Sequence, residues 1–412
     1  MSLFPTILLV VGKVNFTNLS RYSEWSEKTY RRQYTQAFNF IGLNAQLIQE
    51  AVPPSATQIG AIDCSFIAKS GKMTYGLDWF YNGSRNRTEK GLEISVIAVI
   101  DVEARRGYSL SVQQTPATNP GKQTQAQSKT VSWQTIEQVQ QRLQQLPPKP
   151  PTPAPLTRID HYLEHLKHTR QSLPPAVKYC VADGVYSKQK FVAGVVALDL
   201  HLISKLRSDA NLRYLYTGEQ KPRGARRKYD GKVDFKDLSR LTFVEQLEAG
   251  LTLYTAVVWH VSLKRQIRIA YLVDTRKAGK TGVALLFSSD VELDAKLMVQ
   301  YYQARFQIEF IFRDAKQFTG LCDAQTRDPQ RLEFHFNASL TTLNLAKYQE
   351  QLRPTQPDAT VSSVPFSMAS YKRFAFNDHL LERFICQLEL DPTLIKSHPN
   401  YENLRSYGII AA

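Results

Sequence analysis

The order of the apolar segments constrains this chain more than any other feature. IGAIDCSFIA, MTYGLDWFYN, LEISVIAVIDV and GYSLSVQQT, between residues 58 and 115, are short alternating or continuously apolar runs broken by Gly, Asn and charges. That texture predicts consecutive strands beginning as an antiparallel meander. TRIDHYLEHLKHTRQSL (157–173) reads as a helix stopped by Pro174 and Pro175, and VKYCVAD (177–183) as a buried strand. SKQKFVAGVVAL then starts as a helix, and LDLHLIS (198–204) is another strand. LTLYTAVVWHV, RQIRIAYLVD and GVALLFSSD supply three more strands before a long helix, capped by Asp290 and running to Phe318. Strands, helix, strand, helix, strand is the order of an α/β domain with a mixed sheet, here interrupted by a β-rich segment ahead of the long helix. Residues 332–351 give a further helix, and beyond Arg353 and Pro354 the tail reads as short helices separated by Pro and Asn.

The chain has 412 residues, with 52 Lys and Arg against 37 Asp and Glu, a formal charge of +15. A polyanionic partner, most commonly nucleic acid, accounts for such an excess. Cys64, Cys180, Cys322 and Cys386 form no CxxC pair, which argues against a disulfide scaffold or a zinc ribbon and fits a reducing compartment. The early apolar run Ile7 to Val11 is far too short to span a bilayer and no Lys or Arg precedes it, so a soluble cytoplasmic protein with no membrane partner is expected. Residues 13–36 read as two short helices around a turn, the second capped by Ser23 or Ser26 with Glu24 and Glu27 near its start. Lys28, Arg31 and Arg32 lie on that second helix with Tyr30 and Tyr34. The layout is that of a helix-turn-helix that would read the major groove, or of a plain helical hairpin with a solvated basic face. Residues 113–156 are rich in Gln, Thr and Pro, and PPKPPTPAP (147–155) excludes helix and central strand, leaving a loop or spacer.

The long helix carries the sharpest chemical signal. At about 100° per residue, Tyr302, Arg305, Glu309 and Lys316 fall within a stripe of roughly 60°, with Arg313 beside it. Phe306, Ile308, Phe310, Ile311 and Phe312 make the remaining faces apolar. A polar stripe on such a helix must either close on itself as ion pairs or face a ligand. A carboxylate flanked by Tyr, Arg and Lys suits a metal-bound phosphodiester, the carboxylate taking the metal and the cations the phosphate oxygens. One carboxylate makes no metal site, and two aspartates stand out as further candidates. Asp63 interrupts the first strand, among residues where an unpaired acid would be costly; Asp183 ends the strand VKYCVAD ahead of Gly184 and Tyr186. An Asp at a strand end, such as Asp183, is also a common helix cap or turn former.

Other motifs carry less. His161, Glu164 and His165 fit H-x-x-E-H, an inverted zinc-protease pattern, but also a solvated helix beside His168. Gly279-Lys280-Thr281 is not a P-loop, since Asp274 stands where its first Gly should be and a strand follows. Arg223, Arg226, Arg227 and Lys228 form a loop suited to tracking phosphates. Trp259 is core or a base-stacking residue.

Tyr302-x2-Arg305-x3-Glu309-x6-Lys316 resembles the Y-(2)-R-(3)-E-(6)-K signature of IS4-type DDE transposases of bacterial insertion sequences. LRSDANLRYLY (206–216), KYDGK (228–232), YYQARFQIEFIFRDAKQFTGL (301–321) and HFNASLTTLNLAK (335–347) are similar to the same family. The resemblance implies an α/β, RNase H-like core. Its parts would be an N-terminal helical DNA-binding module (1–55), a first core segment (56–205), a β-rich insertion (206–288), a second core segment (289–352) and a helical tail (353–412). It also implies Asp63, Asp183 and Glu309 as catalytic metal ligands, with Asp78 and Asp101 as rivals for the first position. Tyr302, Arg305, Arg313 and Lys316 would hold the DNA end, and Arg226, Arg227, Lys228, Lys28, Arg31 and Arg32 would contact DNA elsewhere. Two Mg2+ ions, or Mn2+ in their place, would serve hydrolysis at the element ends and 3′-OH strand transfer into target DNA through hairpin ends. Double-stranded DNA carrying terminal inverted repeats, target DNA and a second copy of the chain are the implied partners, in a bacterial cytoplasm at the nucleoid. Outside that reading stand a metal-dependent endonuclease without strand transfer and a catalytically decayed DNA-binding regulator.

Overall fold

A computed structural model describes residues 3–117, 156–277, 279–353 and 366–410; the Pro-rich stretch 147–155 and most of the segment around it lie outside the described residues. Four helices open the chain: α1 (Leu3–Leu9), α2 (Phe16–Arg21), α3 (Glu27–Gln33) and α4 (Phe40–Ala51). Ser26 caps α3, its hydroxyl accepting from the Thr29 amide, and Glu27 occupies the first turn. Tyr30 and Tyr34 are buried with Phe16 and Leu19 in a small core of their own, while Lys28, Arg31 and Arg32 face solvent.

Next come β1 (Gln58–Ala68), β2 (Asp78–Asn82), β3 (Arg87–Asp101) and β4 (Arg106–Gln114). The meander departs from simple sequence order, because β3 is 15 residues long and serves three partners. Its first residues pair with β2, its later residues with β4, and β1 lies antiparallel along its other edge. After α5 (Arg158–Thr169), β5 (Tyr179–Val181) joins β1 in parallel; α6 (Gln189–Ala197) then crosses to β6 (His201–Leu206), parallel to β5. The sheet runs on without a break. β12 (Lys280–Ser288) lies antiparallel to β6, followed by β11 (Arg265–Lys277) and β10 (Leu251–His260). β7 (Leu212–Leu215) and β9 (Thr242–Glu248) both pair with β10, and β8 (Tyr229–Lys232) pairs with β7 at the far edge. The β-rich segment thus continues the same 12-stranded sheet.

Helices cover both faces. Strand alternation sends Ile59 and Ala61 to one layer and Ile62 to the other. On the first face lie α7 (Ala295–Ala304), α8 (Phe306–Phe318) and α9 (Pro329–Gln351); on the second, α4, α5 and α6. This large mixed sheet between helical layers is consistent with an RNase H-like DDE domain.

Four expectations are corrected. The long helix begins later, because Asp294 and not Asp290 accepts from its first amides, Lys296 and Leu297. Asp290 instead accepts from the Tyr179 hydroxyl at 2.8 Å and holds the turn before the helix. The helix also divides at Arg305, a one-residue break that keeps right-handed angles (φ −50°, ψ −32°) between α7 and α8. On α8, Phe306 and Phe310 face solvent, covered in part by the guanidinium groups of Arg305 and Arg313 at 5.3 and 4.8 Å from their ring centres. The tail contains a 20-residue helix, α10 (Met368–Gln387), before two short ones, α11 (Pro392–Lys396) and α12 (Tyr401–Arg405). Met368, Tyr371 and Ile385 give α10 a buried stripe, and that packing carries it past Asn377.

Candidate active site

β1, the turn after β5, and the α7–α8 junction converge on one place. Asp63 lies on the β1 face that carries Ile59 and Ala61, directed at the α7–α8 layer. The parallel register sets Gly60 beside Cys180 and Ala61 beside Val181. The chain leaves β5 after Val181, and Asp183, two residues on, stays near enough to Asp63 for its charge to act on that carboxyl. Asp183 itself ends the strand: its Oδ1 accepts from the Val185 amide at 2.8 Å and its carbonyl accepts from the Ser204 hydroxyl at 2.7 Å. The rivals for the first acid are placed elsewhere. Asp101 pairs with Gln58 at the opposite end of β1, and its carboxylate accepts from the Ala104 amide in a turn. Asp78 lies across from Gly91, itself opposite Ala68, at the outer end of the sheet.

Arg305 joins these elements. Its side chain is 8% exposed. One terminal nitrogen donates to Asp63 Oδ2 at 3.1 Å, across 242 residues of sequence, and the other donates to Glu309 Oε1 at 2.8 Å, one turn along the helix. The Tyr302 ring centre lies 5.7 Å from the guanidinium carbon. Burial pushes the Asp63 carboxyl up to about 7; Arg305 pulls against this, the Asp183 charge reinforces it, the Cys64 amide opposes it and Glu309 adds to it. Burial likewise raises the Tyr302 hydroxyl, with Arg305 opposing and the charges of Asp183 and Asp63 contributing. With all three ionised, the carboxylates against one guanidinium would leave an excess of about two negative charges, which is what a hard divalent cation with oxygen ligands would neutralise. The residue types therefore fit such an ion. Its seat is not preformed, however. Among the described residues, no three His, Cys, Asp or Glu side chains stand within range of a common metal. Asp63 and Glu309 are instead held on Arg305, whose Nε is buried without a hydrogen-bond partner.

The other residues singled out from sequence are dispersed. Lys316 is half-buried two turns beyond Glu309, where burial lowers its ammonium pKa. Arg313 is exposed and pairs with Asp314 at 2.9 Å. Arg226, Arg227 and Lys228 are exposed in the β7–β8 loop, seven strand spacings along the sheet from β1. Arg227 there is spent on Asp230, the Tyr229 carbonyl and the Tyr216 ring. Arg31 pairs with Glu27 on α3. The H-x-x-E-H pattern is core structure: both ring nitrogens of the fully buried His165 are hydrogen-bonded at 2.9 Å, to Ser95 and Ser111, and Glu164 pairs with Lys167 on the surface. Trp259 packs against Tyr229, 5.8 Å between ring centres.

Sequence reasoning missed a buried network behind Asp63. The Tyr162 hydroxyl donates to Glu93 at 2.6 Å, and the Cys64 sulfur is 3.2 Å from the Tyr186 hydroxyl and 3.5 Å from that of Tyr162. It fixes β1 to β3, α5 and the turn after Asp183 from the reverse face. The one available signal was a Glu embedded in the apolar strand LEISVIAVIDV.

Residues 154–345 match the family model described as Transposase DDE domain. A search of the curated proteins finds no match. The matched span contains Asp183, Tyr302, Arg305, Glu309 and Lys316, while Asp63 precedes it. No helix among the described residues is long and apolar enough to cross a membrane. The match supports an enzyme of the DDE transposase type, with DNA as the partner that family suggests and divalent metal ions as its general cofactor.

Proposed function

We propose that this chain is an IS4-type cut-and-paste transposase whose catalytic acids are Asp63, Asp183 and Glu309. The observation that carries the reading is the meeting of Asp63 and Glu309 on one buried guanidinium, with Asp183 in the turn after the adjoining strand. The spacing of Tyr302, Arg305, Glu309 and Lys316 supports the subfamily. Asp63, Asp183 and Glu309 would hold Mg2+, or Mn2+ in its place, which would supply Lewis acidity at the scissile phosphate and lower the pKa of the attacking hydroxyl. The side chains divide the remaining work. Asp63, Asp183 and Glu309 concentrate negative charge. Tyr302 and Arg305 flank that charge at one end and Lys316 at the other, where they orient the phosphates of an element end.

A water opens the phosphodiester first, and the 3′-OH it frees then attacks the opposite strand to give a hairpin. After the hairpin reopens, the same hydroxyl attacks target DNA. Each step is an in-line displacement, so no covalent enzyme intermediate is required. Two protomers bring both ends together. A supercoiled plasmid carrying the element's ends, incubated with protein and Mg2+, tests this. Excised fragment, hairpin ends and joined target products are expected. Cleaved ends with no joined products would leave an endonuclease, and specific binding without nicking a regulator.

A further inference from the structure

Two clefts meet beside the helix that carries Glu309. The first, about 550 Å³, lies between α1, the end of α8 and α10, and presents Lys13, Lys316, Lys372 and Arg373. The second, about 350 Å³, lies between the end of β1 and the segment entering α9, and presents Lys13, Lys69 and Arg327. Lys13 and Asp323 line both, so the two adjoin at these side chains. Six cations therefore line one groove whose sole lining acid is Asp323, and the Oδ2 of that acid is engaged by the Val14 amide at 2.8 Å. Among the described residues none of the six forms an ion pair with a carboxylate, whereas Arg31, Arg276 and Arg405 on the surface all do. Lys372 and Lys69 do anchor backbone, through the carbonyls of Phe318 and Ala324. Lys13, Arg327 and Arg373 are exposed. Collecting like charges along a half-buried groove is unfavourable unless a polyanion lies in it.

We infer that this groove seats the sugar-phosphate backbone of duplex DNA running out from the carboxylates. The inference rests on the proposed DNA-cutting function and adds the path of the strand. Lys316 belongs to the groove and follows Glu309 by seven residues, about 10 Å along a helix axis, or about three base-pair steps. Lys69 follows Asp63 along β1 by six residues, about 20 Å. The groove therefore starts close to the acids and leads away from them. It also gives the tail helix α10, which lies outside the matched transposase span, a part in holding DNA.

Lys13→Gln/Arg373→Gln tests this, since both side chains are exposed. Lys167→Gln/Lys178→Gln, the same charge change at two exposed lysines away from the groove, on α5 and just before β5, is the control. Binding of a labelled duplex of about 30 base pairs and arbitrary sequence is followed against NaCl concentration, and the salt slope should fall by about 1.8 for two lost phosphate contacts. Affinity at low salt should fall about tenfold or more, with no change in either quantity for the control and unchanged melting temperatures for both. Slopes equal to wild type for the groove variant, or equal losses in groove and control variants, would overturn the inference. So would a loss confined to single-stranded RNA or to an acidic protein. Wild-type nicking in Mg2+ with an unaltered groove variant sinks the groove and leaves the proposed function standing; weakened binding by the groove variant of a chain that never nicks does the reverse.

Discussion

Replacing Arg305 by Met removes the cation that the acids share and keeps most of the side-chain volume. The consequence depends on pH. The Asp63 carboxyl goes from 3.8, the ordinary aspartate value, to about 7 in the fold. The folded form therefore binds its proton more tightly than the unfolded form, and stability falls as pH rises from 3.8 through 7. Loss of Arg305 lifts that carboxyl further. At pH 7 it escapes most of the penalty by taking up a proton, so the variant loses chiefly two charge-assisted hydrogen bonds, about 1–2 kcal/mol after the guanidinium's own desolvation is recovered. Glu309 adds little, being 46% exposed. Above pH 7 the wild-type carboxyl ionises against Arg305 while the variant must hold a proton or bury a bare charge, at about 1.4 kcal/mol per pH unit. The stability gap should therefore widen by about 2 kcal/mol between pH 7 and pH 9. Urea denaturation of both proteins in EDTA at the two pH values measures it. A gap that stays constant or narrows refutes the shared-cation account of the site.

Further expectations concern the acids and the buried bases. Glu309→Gln should cut divalent-dependent nicking by roughly 10³-fold and leave duplex binding within about twofold; nicking assays and anisotropy check each half, and nicking near the wild-type rate contradicts the assignment. Burial holds His165 down to about 3 and His335 down to about 4, so both are neutral in the fold. Folding stability should decline as pH falls below 6.5, by about 1.4 kcal/mol per unit for each; a flat urea midpoint from pH 6.5 to 5 would count against it. Lys347, buried with its ammonium on the Gly107 carbonyl, is pushed down to about 8. Relative to Lys347→Met, the wild type should gain about 3 kcal/mol as pH rises from 8 to 10.5; parallel stability curves for the two proteins would contradict it.

Much of the sheet was legible because period-2 alternation and embedded β-branched residues mark β1, β3, β5, β6 and β10–β12 directly. The pairing of β3 with three strands was not, since register depends on partners that local pattern does not name. The stripe on α7–α8 was legible from spacing alone. The exposure of Phe306 and Phe310 was hidden, because an apolar residue reads as buried until its cover is known. Asp63 stood out as an acid in an apolar strand, but its separation from Asp101 and Asp78 needed the register. That Arg305 lies between the acids was half visible: the i, i+4 pair with Glu309 follows from helix geometry, whereas the link to Asp63 crosses the fold. HFNASLTTLNLAK (335–347) resembles a family stretch in sequence, and its role here is packing. Asn344 bonds the Ser109 amide and carbonyl and the Asn44 side chain from a helix buried almost all round.

The central claim is that three acids from two strands and one helix act as a single divalent-dependent cutting site. Nicking of duplex DNA in Mg2+ by wild type, Asp63→Asn, Asp183→Asn, Glu309→Gln and Asp101→Asn, at matched DNA occupancy, tests it most directly. The account predicts that the first three substitutions are each inactive and that Asp101→Asn cuts like wild type. Activity in Asp63→Asn, or its loss in Asp101→Asn with the fold intact, would contradict it.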